Sequence, residues 1–494
     1  MLRKIRISLA CVFFVLITLL FLDFTGTLHA WFGWLAKIQF LPALLSLNVV
    51  VLLVLVALTL IFGRIYCSVI CPLGVFQDIV SWISERRKGK RHRFFNSAEK
   101  KFLRYFFLAL LIIGIIVGSG PLVALLAPYS TYGRIVQNLF APLYGWGNNF
   151  FAYLAERADS YAFYDKTVWI RSGLTFGITV ASFALIVVLA WLNGRTYCNT
   201  ICPVGTMLSF LARFSWFKVR MDTKKCTSCT ACSRECKAAC IDIGNHTIDY
   251  ARCVTCGNCI DQCKFGALSY SRPKKQDPSI DEFEVNTSRR NFLLGTALVT
   301  SSIALAQDKK KVDGGLAVIE DKVAPRRATP LTPPGSQSAK NMARHCTACQ
   351  LCVSVCPNDV LRPSSNVFKL MQPTLSYERG YCRPECTKCS EVCPTGAILK
   401  ITKEEKSSTQ IGHAVWVGKN CIPLVDGVEC GNCARHCPTG AISMIHLEYQ
   451  RDTDPLVPSV NTEICIGCGA CENLCPARPF SAIYVEGHEV HRTV

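Results

Sequence analysis

Cysteine is the residue type through which this chain can do chemistry. There are thirty in 494 residues, and most stand in regular blocks. One block reads CTSCTACSREC, placing Cys226, Cys229, Cys232 and Cys236, with Cys240 just beyond; the next reads CVTCGNCIDQC, placing Cys253, Cys256, Cys259 and Cys263. Four more lie toward the C-terminus: Cys346, Cys349, Cys352 and Cys356; Cys382, Cys386, Cys389 and Cys393; Cys421, Cys430, Cys433 and Cys437; and Cys465, Cys468, Cys471 and Cys475. Three thiolates of a Cys-x-x-Cys-x-x-Cys run converge on one centre, and the fourth cysteine of the block reaches the neighbouring one. Soft sulfur at this spacing holds iron–sulfur clusters or zinc. Zinc suits the number of thiols but explains the blocks less well. A disulfide scaffold would be shorter and would lack the triplets.

The expected cofactors are therefore six [4Fe-4S] clusters, two on the first pair of blocks and four on the last four blocks. The first pair carries one thiol too many. Regular spacing favours Cys236 as the distal ligand, but Lys237 stands where a proline is usual, so Cys240 remains the alternative. In the last four blocks the simplest pairing is first with second and third with fourth. The long gap between Cys421 and Cys430 makes one loop bulge, in the direction of a partner.

A sparser pattern precedes these. GRIYCSVICP (63–72) and GRTYCNTICP (194–203) repeat one phrase and place Cys67, Cys71, Cys198 and Cys202. Each follows an apolar run. Four such runs, near 7–24, 43–62, 105–126 and 173–192, are each long enough to cross a hydrocarbon core of about 30 Å as a helix. Arg3, Lys4 and Arg6 precede the first, and ERRKGKRHR (85–93) with Lys100, Lys101 and Arg104 follows the second, whereas the first turn has only Lys37. The positive-inside rule puts the N-terminus and the basic loop in the cytoplasm. Leu28-His29-Ala30 has a weak likeness to a signal-peptidase site, but the long run before it reads as an uncleaved helix. Asp23 is expected at the membrane interface. Both cysteine phrases then lie on the inner membrane face, as copies of one two-helix hairpin. Their four thiols are the complement of a candidate shared cluster; redox thiols, a structural role and half-sites completed by another subunit are the other readings. Arg64 and Arg195 would neutralise a cluster's charge or anchor the membrane edge. In the outward loop, Tyr132, Arg134 and Gln137 are candidate donors to a quinone headgroup.

Half of the residues are hydrophobic and the formal charge is +19. With the basic residues explained by topology, nucleic acid is not an expected partner. At Ser288 the chain reads SRRNFLLGTALVTSSIALAQ, two arginines before a short apolar core, similar to a twin-arginine export signal. Left uncut, it is a fifth helix and anchor. The expected fold is a multi-domain membrane protein: a four-helix transmembrane domain plus α+β, ferredoxin-like 4Fe-4S modules on both sides. The domains are 1–217 (membrane), 218–275 (cytoplasmic, two clusters), 276–338 (linker with the signal or anchor) and 339–494 (periplasmic, four clusters).

These motifs carry a resemblance. Through about residue 275 the chain resembles the membrane quinol-dehydrogenase ferredoxin-type subunits of periplasmic nitrate reductase systems (NapH-like), with the paired Cys-x-x-x-Cys-Pro motifs at Cys67/Cys71 and Cys198/Cys202. It is also similar to the polyferredoxin part of NosR-like regulators. From Ser288 it resembles the exported ferredoxin-type subunits (NapG/MauM-like). Cys240 departs from the simplest pattern. The resemblance implies a fusion in the bacterial inner membrane that oxidises a quinol, menaquinol in the first instance. Electrons would pass through the clusters to a periplasmic reductase or multihaem cytochrome, with further membrane subunits as partners. The alternative is an electron-supplying maturation factor, or a redox-regulatory one, for a metalloenzyme.

Overall fold

A computed structural model describes residues 2–87, 94, 98–160, 163–272, 320–447 and 455–493. The twin-arginine stretch from Ser288 and most of the basic run 85–93 lie outside the described residues. The first half is helical: α1 (Leu2–Leu22), α2 (Thr27–Phe32), α3 (Val49–Phe62), α4 (Pro72–Arg87), α5 (Lys101–Val117), α6 (Pro128–Ile135), α7 (Ala141–Arg157), α8 (Gly173–Asn193) and α9 (Pro203–Ala212). Among the described residues two helices are long and apolar enough to cross a membrane, Arg3–Leu22 and Gly173–Asn193. The other two apolar runs are broken. A helix at Phe40–Leu45 stops before α3, where Leu47 takes a positive φ and the Asn48 side chain caps the new helix by accepting from Val51 N. α5 stops at Gly118, left-handed at φ 77°, and a second helix restarts at Gly120.

The repeated phrase builds the same local structure twice. Gly63 and Gly194 both take positive φ, where a side chain would be strained. Five-residue helices follow, Ile65–Val69 and Thr196–Thr200. The prolines then open α4 and α9, a position where the missing N–H costs nothing. Cys202 caps α9, its Sγ accepting from Gly205 N at 3.4 Å. A Cβ on Gly74 would collide with the Cys67 carbonyl, and one on Gly205 with the Cys198 carbonyl, so each helix start packs directly on the preceding cysteine loop. The two copies are cross-braced. Arg64 reaches the Cys198 carbonyl of the second copy, and Arg195 reaches the Cys67 carbonyl of the first at 2.7 Å. Both arginines are fully buried.

Two cysteine-rich units complete the chain. The first is framed by β1 (Lys218–Met221) paired antiparallel with β4 (Leu268–Ser271), around a small hairpin of β2 (Ile241–Asp242) and β3 (Thr247–Ile248). The second contains the pairs β5 (Leu361–Pro363) with β6 (Pro373–Leu375), β8 (Ile442–Ile445) with β9 (Val457–Val460), and the long β7 (Thr409–Trp416) with β10 (Ile483–Thr493). Residues 320–338, expected to belong to a linker, lie along this second unit: Arg327 pairs with buried Glu472, and Thr329 N donates to Glu486.

The units sit at opposite ends of the helices. At the start of α1, Arg3 pairs with Asp261 of the first unit; just past its end, Thr25 O accepts from Lys388 of the second. α8 repeats the arrangement, with Arg171 before its start on Asp359 and Gly194 at its end against Lys237. A helix of this length spans roughly 30 Å.

The ionic centre of the helical part is Asp78. Arg195 holds it through Nε and Nη2 at 2.9 and 2.8 Å, and Arg6 adds a third bond at 3.0 Å. Asp78→Ala would strand a buried guanidinium, at a cost of about 3–5 kcal/mol. We expect a corresponding fall in thermal stability of the detergent-solubilised protein, whereas the double change Asp78→Leu/Arg195→Met, which strands only the less deeply buried Arg6, costs less. Equal losses would show that the pair does not carry this role.

Candidate iron–sulfur centres

The cysteine loops turn through positive φ at non-glycine positions, Ser228, Thr230, Thr255, Ala348 and Gln350 among them. These turns wrap the backbone around a centre so that thiols point inward. In the first unit, Cys226, Cys229, Cys232 and Cys263 line one cavity of about 350 Å³. Cys253, Cys256 and Cys259 line a second, of about 360 Å³, together with both Cys236 and Cys240. In the second unit Cys382, Cys386 and Cys389 share a cavity with Cys356, and Cys421, Cys430 and Cys433 share one with Cys475. Cys393 is the electrostatic neighbour of Cys346, Cys349 and Cys352, and Cys437 that of Cys465 and Cys468. Each block thus lends its fourth cysteine to the other block of its pair, first with second and third with fourth.

None of the thirty cysteines is joined in a disulfide. Among the described residues no group of three or more His, Cys, Asp or Glu is spaced for a single metal ion. A cubane holds its four thiolates further apart than one ion does, so sulfurs that ring a cavity without closing on one point suit a [4Fe-4S] cluster better than zinc. Burial pushes the bare thiols up, Cys232 and Cys256 to about 11 and Cys349 and Cys468 to about 12.

The surplus thiol of the first unit has a place. Cys240 Sγ lies 3.4 Å from Cys236 Sγ. Its hydrogen bond, the largest influence on Cys236, holds Cys236 below the ordinary thiol value. Lys237, where a proline is usual, is used for docking: its carbonyl accepts from Arg195 N at 2.9 Å and its ammonium approaches the Asp78 carbonyl at 3.4 Å.

A row of contacts orders these sites. The first unit's second cavity adjoins the helices, where Arg64 donates to Ala251 O at 2.9 Å and Asn199 to Ala238 O at 3.3 Å. On the other side, Gly133 of α6 packs against the Cys349 carbonyl, and Asn138 donates to Gln350 at 3.1 Å. Within the second unit, Cys382 N donates to Cys468 O at 2.9 Å, joining the two halves.

Cys67, Cys71, Cys198 and Cys202 are brought together in the helical part, each about 5% exposed. They are buried inside the helical part, beside Tyr66 and Tyr197. Gln39 accepts from Tyr66 OH at 3.0 Å, and Arg134 is an electrostatic neighbour of Tyr197. The three quinone candidates are turned to protein partners: Tyr132 OH to Thr18 at 2.6 Å, Arg134 to Ala124 O at 2.9 Å and Thr131 at 3.1 Å, and Gln137 to Phe21 O. Asp23 is buried, accepting backbone bonds from Thr25, Gly26, Leu28 and His29, with the His29 ring at 3.2 Å. The other ring nitrogen of His29 is buried with no partner. Gln39, Gln77 and Asp78 belong to no sequence motif, and His29 stands only in the stretch with a likeness to a cleavage site; proximity in the fold gives all four a role.

The two candidate distal ligands are separable by experiment. Cys236→Ser should lose one cluster, about four iron atoms per chain, whereas Cys240→Ser should retain it with a shifted electron paramagnetic resonance (EPR) signal. The reverse result would make Cys240 the ligand.

Comparison with known proteins agrees with this chemistry. A 4Fe-4S binding domain model matches residues 45–91 and 175–223, and 4Fe-4S dicluster domain models match 249–360, 345–398 and 428–478. An uncharacterized protein of Methanocaldococcus jannaschii is 39% identical over 88 residues, 18% of this chain and only 35% of that protein. The methylamine utilization ferredoxin-type protein MauM of Methylobacillus flagellatus is 32% identical over 165 residues, 33% of this chain and 70% of that protein. The ferredoxin-type protein NapG of Escherichia coli is 30% identical over 184 residues, 34% of this chain and 78% of that protein. No solved structure matches. Over about a third of its length, the chain belongs to the ferredoxin-type [4Fe-4S] electron-transfer proteins that include NapG and MauM.

Proposed function

We propose that this chain takes electrons from a membrane quinol, menaquinol, and delivers them to a periplasmic reductase or multihaem cytochrome. In this reading it fuses a NapH-like membrane part to a NapG/MauM-like exported part. It has four spans, with α3 and α5 completed by the short helices at their broken ends. The first unit is cytoplasmic and the second periplasmic. The observation that carries the reading is the close docking of the second unit's first cysteine site on the helices at Gly133 and Asn138. Each bound cluster would accept and release one electron at a time, at a potential set by its ligands, burial and amide hydrogen bonds.

The chain's own residues supply a place for the protons. The Asp23 carboxylate can only accept, so His29 offers it Nδ1–H and keeps Nε2 as a free base. Burial lowers the His29 pKa below its usual 6.5, opposed by the neighbouring carboxylate. The ring is therefore neutral at pH 7 and able to take a proton. The same loop touches the wall of a cluster cavity: Lys388, which holds Thr25 O at 3.1 Å, lines the cavity with Cys356, Cys382, Cys386 and Cys389. Proton and electron would part there. At the far end, the bulge between Cys421 and Cys430 exposes Leu424, Val425 and Val428 beside the last cavity, a surface for the acceptor.

A reduced menaquinol analogue added to the anaerobic, fully loaded chain should reduce clusters of the second unit on a catalytic timescale, seen by low-temperature EPR. His29→Gln should slow this by about 100-fold or more with unchanged iron content. In the parent the rate should fall as pH drops through the His29 pKa, because the protonated ring cannot accept. No reduction of loaded parent protein would sink the reading and favour a maturation or regulatory role.

A further inference from the structure

The proposed quinol route leaves two cysteine sites of the first unit without a task, and it leaves four buried thiols unexplained. Their surroundings answer both. Cys67, Cys71, Cys198 and Cys202 come in pairs from the two helical copies, and electrostatic neighbour relations connect all four. Donors are aimed at the sulfurs: Gln77 Nε2 at Cys198 Sγ (3.2 Å), Gly205 N at Cys202 Sγ (3.4 Å) and an Arg64 nitrogen at Cys67 Sγ (3.9 Å). Among the described residues Arg64 has no carboxylate partner; it bonds Asn199 Oδ1, two carbonyls and that sulfur. A buried guanidinium with no counter-ion is costly unless negative charge stands nearby. Four neutral thiols do not provide it, whereas a four-thiolate cluster carries net negative charge.

Both flanks of the four-thiol site touch a ferredoxin unit. Arg64 itself bonds Ala251 O, two residues before Cys253, and is an electrostatic neighbour of that ligand. On the opposite flank Tyr197, a neighbour of Cys198 and Cys202, faces Arg134, and Arg134 in turn faces Cys349. The helices at whose ends the units dock are roughly 30 Å long, too wide a gap to be crossed without a centre between. The α6 helix and the buried thiols close it from both sides.

We propose that Cys67, Cys71, Cys198 and Cys202 hold a seventh [4Fe-4S] cluster that joins the first unit's Cys236–Cys259 site to the second unit's Cys349 site, so that electrons cross from one face of the helical domain to the other. The inference rests on the electron-transfer reading but not on quinol as donor. One electron leaves a reduced centre on the first unit, resides on the intermediate centre and passes to an oxidised centre on the second. No proton or bond changes. The reductant is a low-potential one-electron protein at one face and the oxidant a haem protein at the other. Arg134 is a positioning residue between the last two centres.

The test uses the full chain, loaded without oxygen and sealed into phospholipid vesicles with ferric cytochrome c trapped inside. Reduced soluble ferredoxin, which cannot cross, is added outside. The parent should contain about 28 iron atoms rather than about 24, and the trapped haem should be reduced. Cys67→Ser/Cys198→Ser should lose about four iron atoms, keep the EPR signals of both ferredoxin units, and reduce trapped haem no faster than chain-free vesicles. About 24 iron atoms in the loaded parent, or undiminished crossing in the double variant, would overturn the proposal. Should the double variant fail to fold, Gln77→Leu decides. Removing the donor to Cys198 should lower the midpoint potential of one centre alone, and unchanged midpoints throughout would refute the assignment. Because no quinol is present, failure here leaves the quinol reading standing, and failure with quinol leaves this one standing.

Discussion

Two buried arginines hold this molecule together at its middle. Arg64 and Arg195 stand at the same place in two copies of one phrase, and each crosses to a cysteine carbonyl of the other copy. The exchange ties two helix pairs into one body, and it sets four sulfurs facing one another. The pseudo-symmetry is broken in one respect that matters. Arg195 has a carboxylate, Asp78, and is neutralised; among the described residues Arg64 has only amide and carbonyl oxygens and a sulfur. Since a buried charge is tolerated only with compensation, the asymmetry says where residual positive potential lies: at the thiols and toward the first unit.

The same residues dock that unit. Gly63 and Gly194 leave room for Thr255 and the Lys237 carbonyl, and Tyr270 and Thr255 both donate to Phe62 O. The residue that breaks the usual Cys-Pro ending, Lys237, is spent on this contact, next to Asp78. Loss of a proline there exchanges local stiffness for an interface. One buried apolar cluster runs from Ile17 in α1 through the four thiols to Val485 in β10. The units and the helices are therefore packed as one body, which is what fixed separations between electron carriers require.

Legibility in the sequence followed chemistry that is local. The block spacing named each set of converging thiols, because three ligands of a centre come from one turn of chain. The crosswise fourth ligand was legible as a pattern, but its pairing across blocks rests on contacts such as Cys356 with Cys382 and Cys475 with Cys421. Apolar length over-simplified the helices: Asn48 and Gly118 interrupt runs whose composition alone reads as continuous. Charge and hydropathy carry no contacts between distant segments, so they do not show that Gln39 bonds Tyr66 or that Arg134 neighbours Tyr197, the tyrosines beside the thiols. Nor could Asp23 and His29 be joined from sequence, since the carboxylate's role there is to satisfy four backbone N–H groups as well as the ring.

The order of sites in space also differs from their order in the chain, and the difference has a physical source. Each ferredoxin pair exchanges its fourth cysteine, so a site is completed only when two distant loops have met. In the second unit the first site faces the helices, the sites of the second and fourth blocks are joined by Cys382 N and Cys468 O, and the site of the third block neighbours that of the fourth through Cys475 and Cys471. The third block comes before the fourth in sequence yet ends the row. It is the block with the stretched spacing, and the extra residues form the exposed apolar bulge of Leu424, Val425 and Val428. An insertion at an inner site would push neighbouring centres apart, and transfer between carriers falls steeply with separation. At the terminal site the same insertion changes only the surface, so the end of the row is where a fold of this kind can accept a partner-specific loop without lengthening its own path.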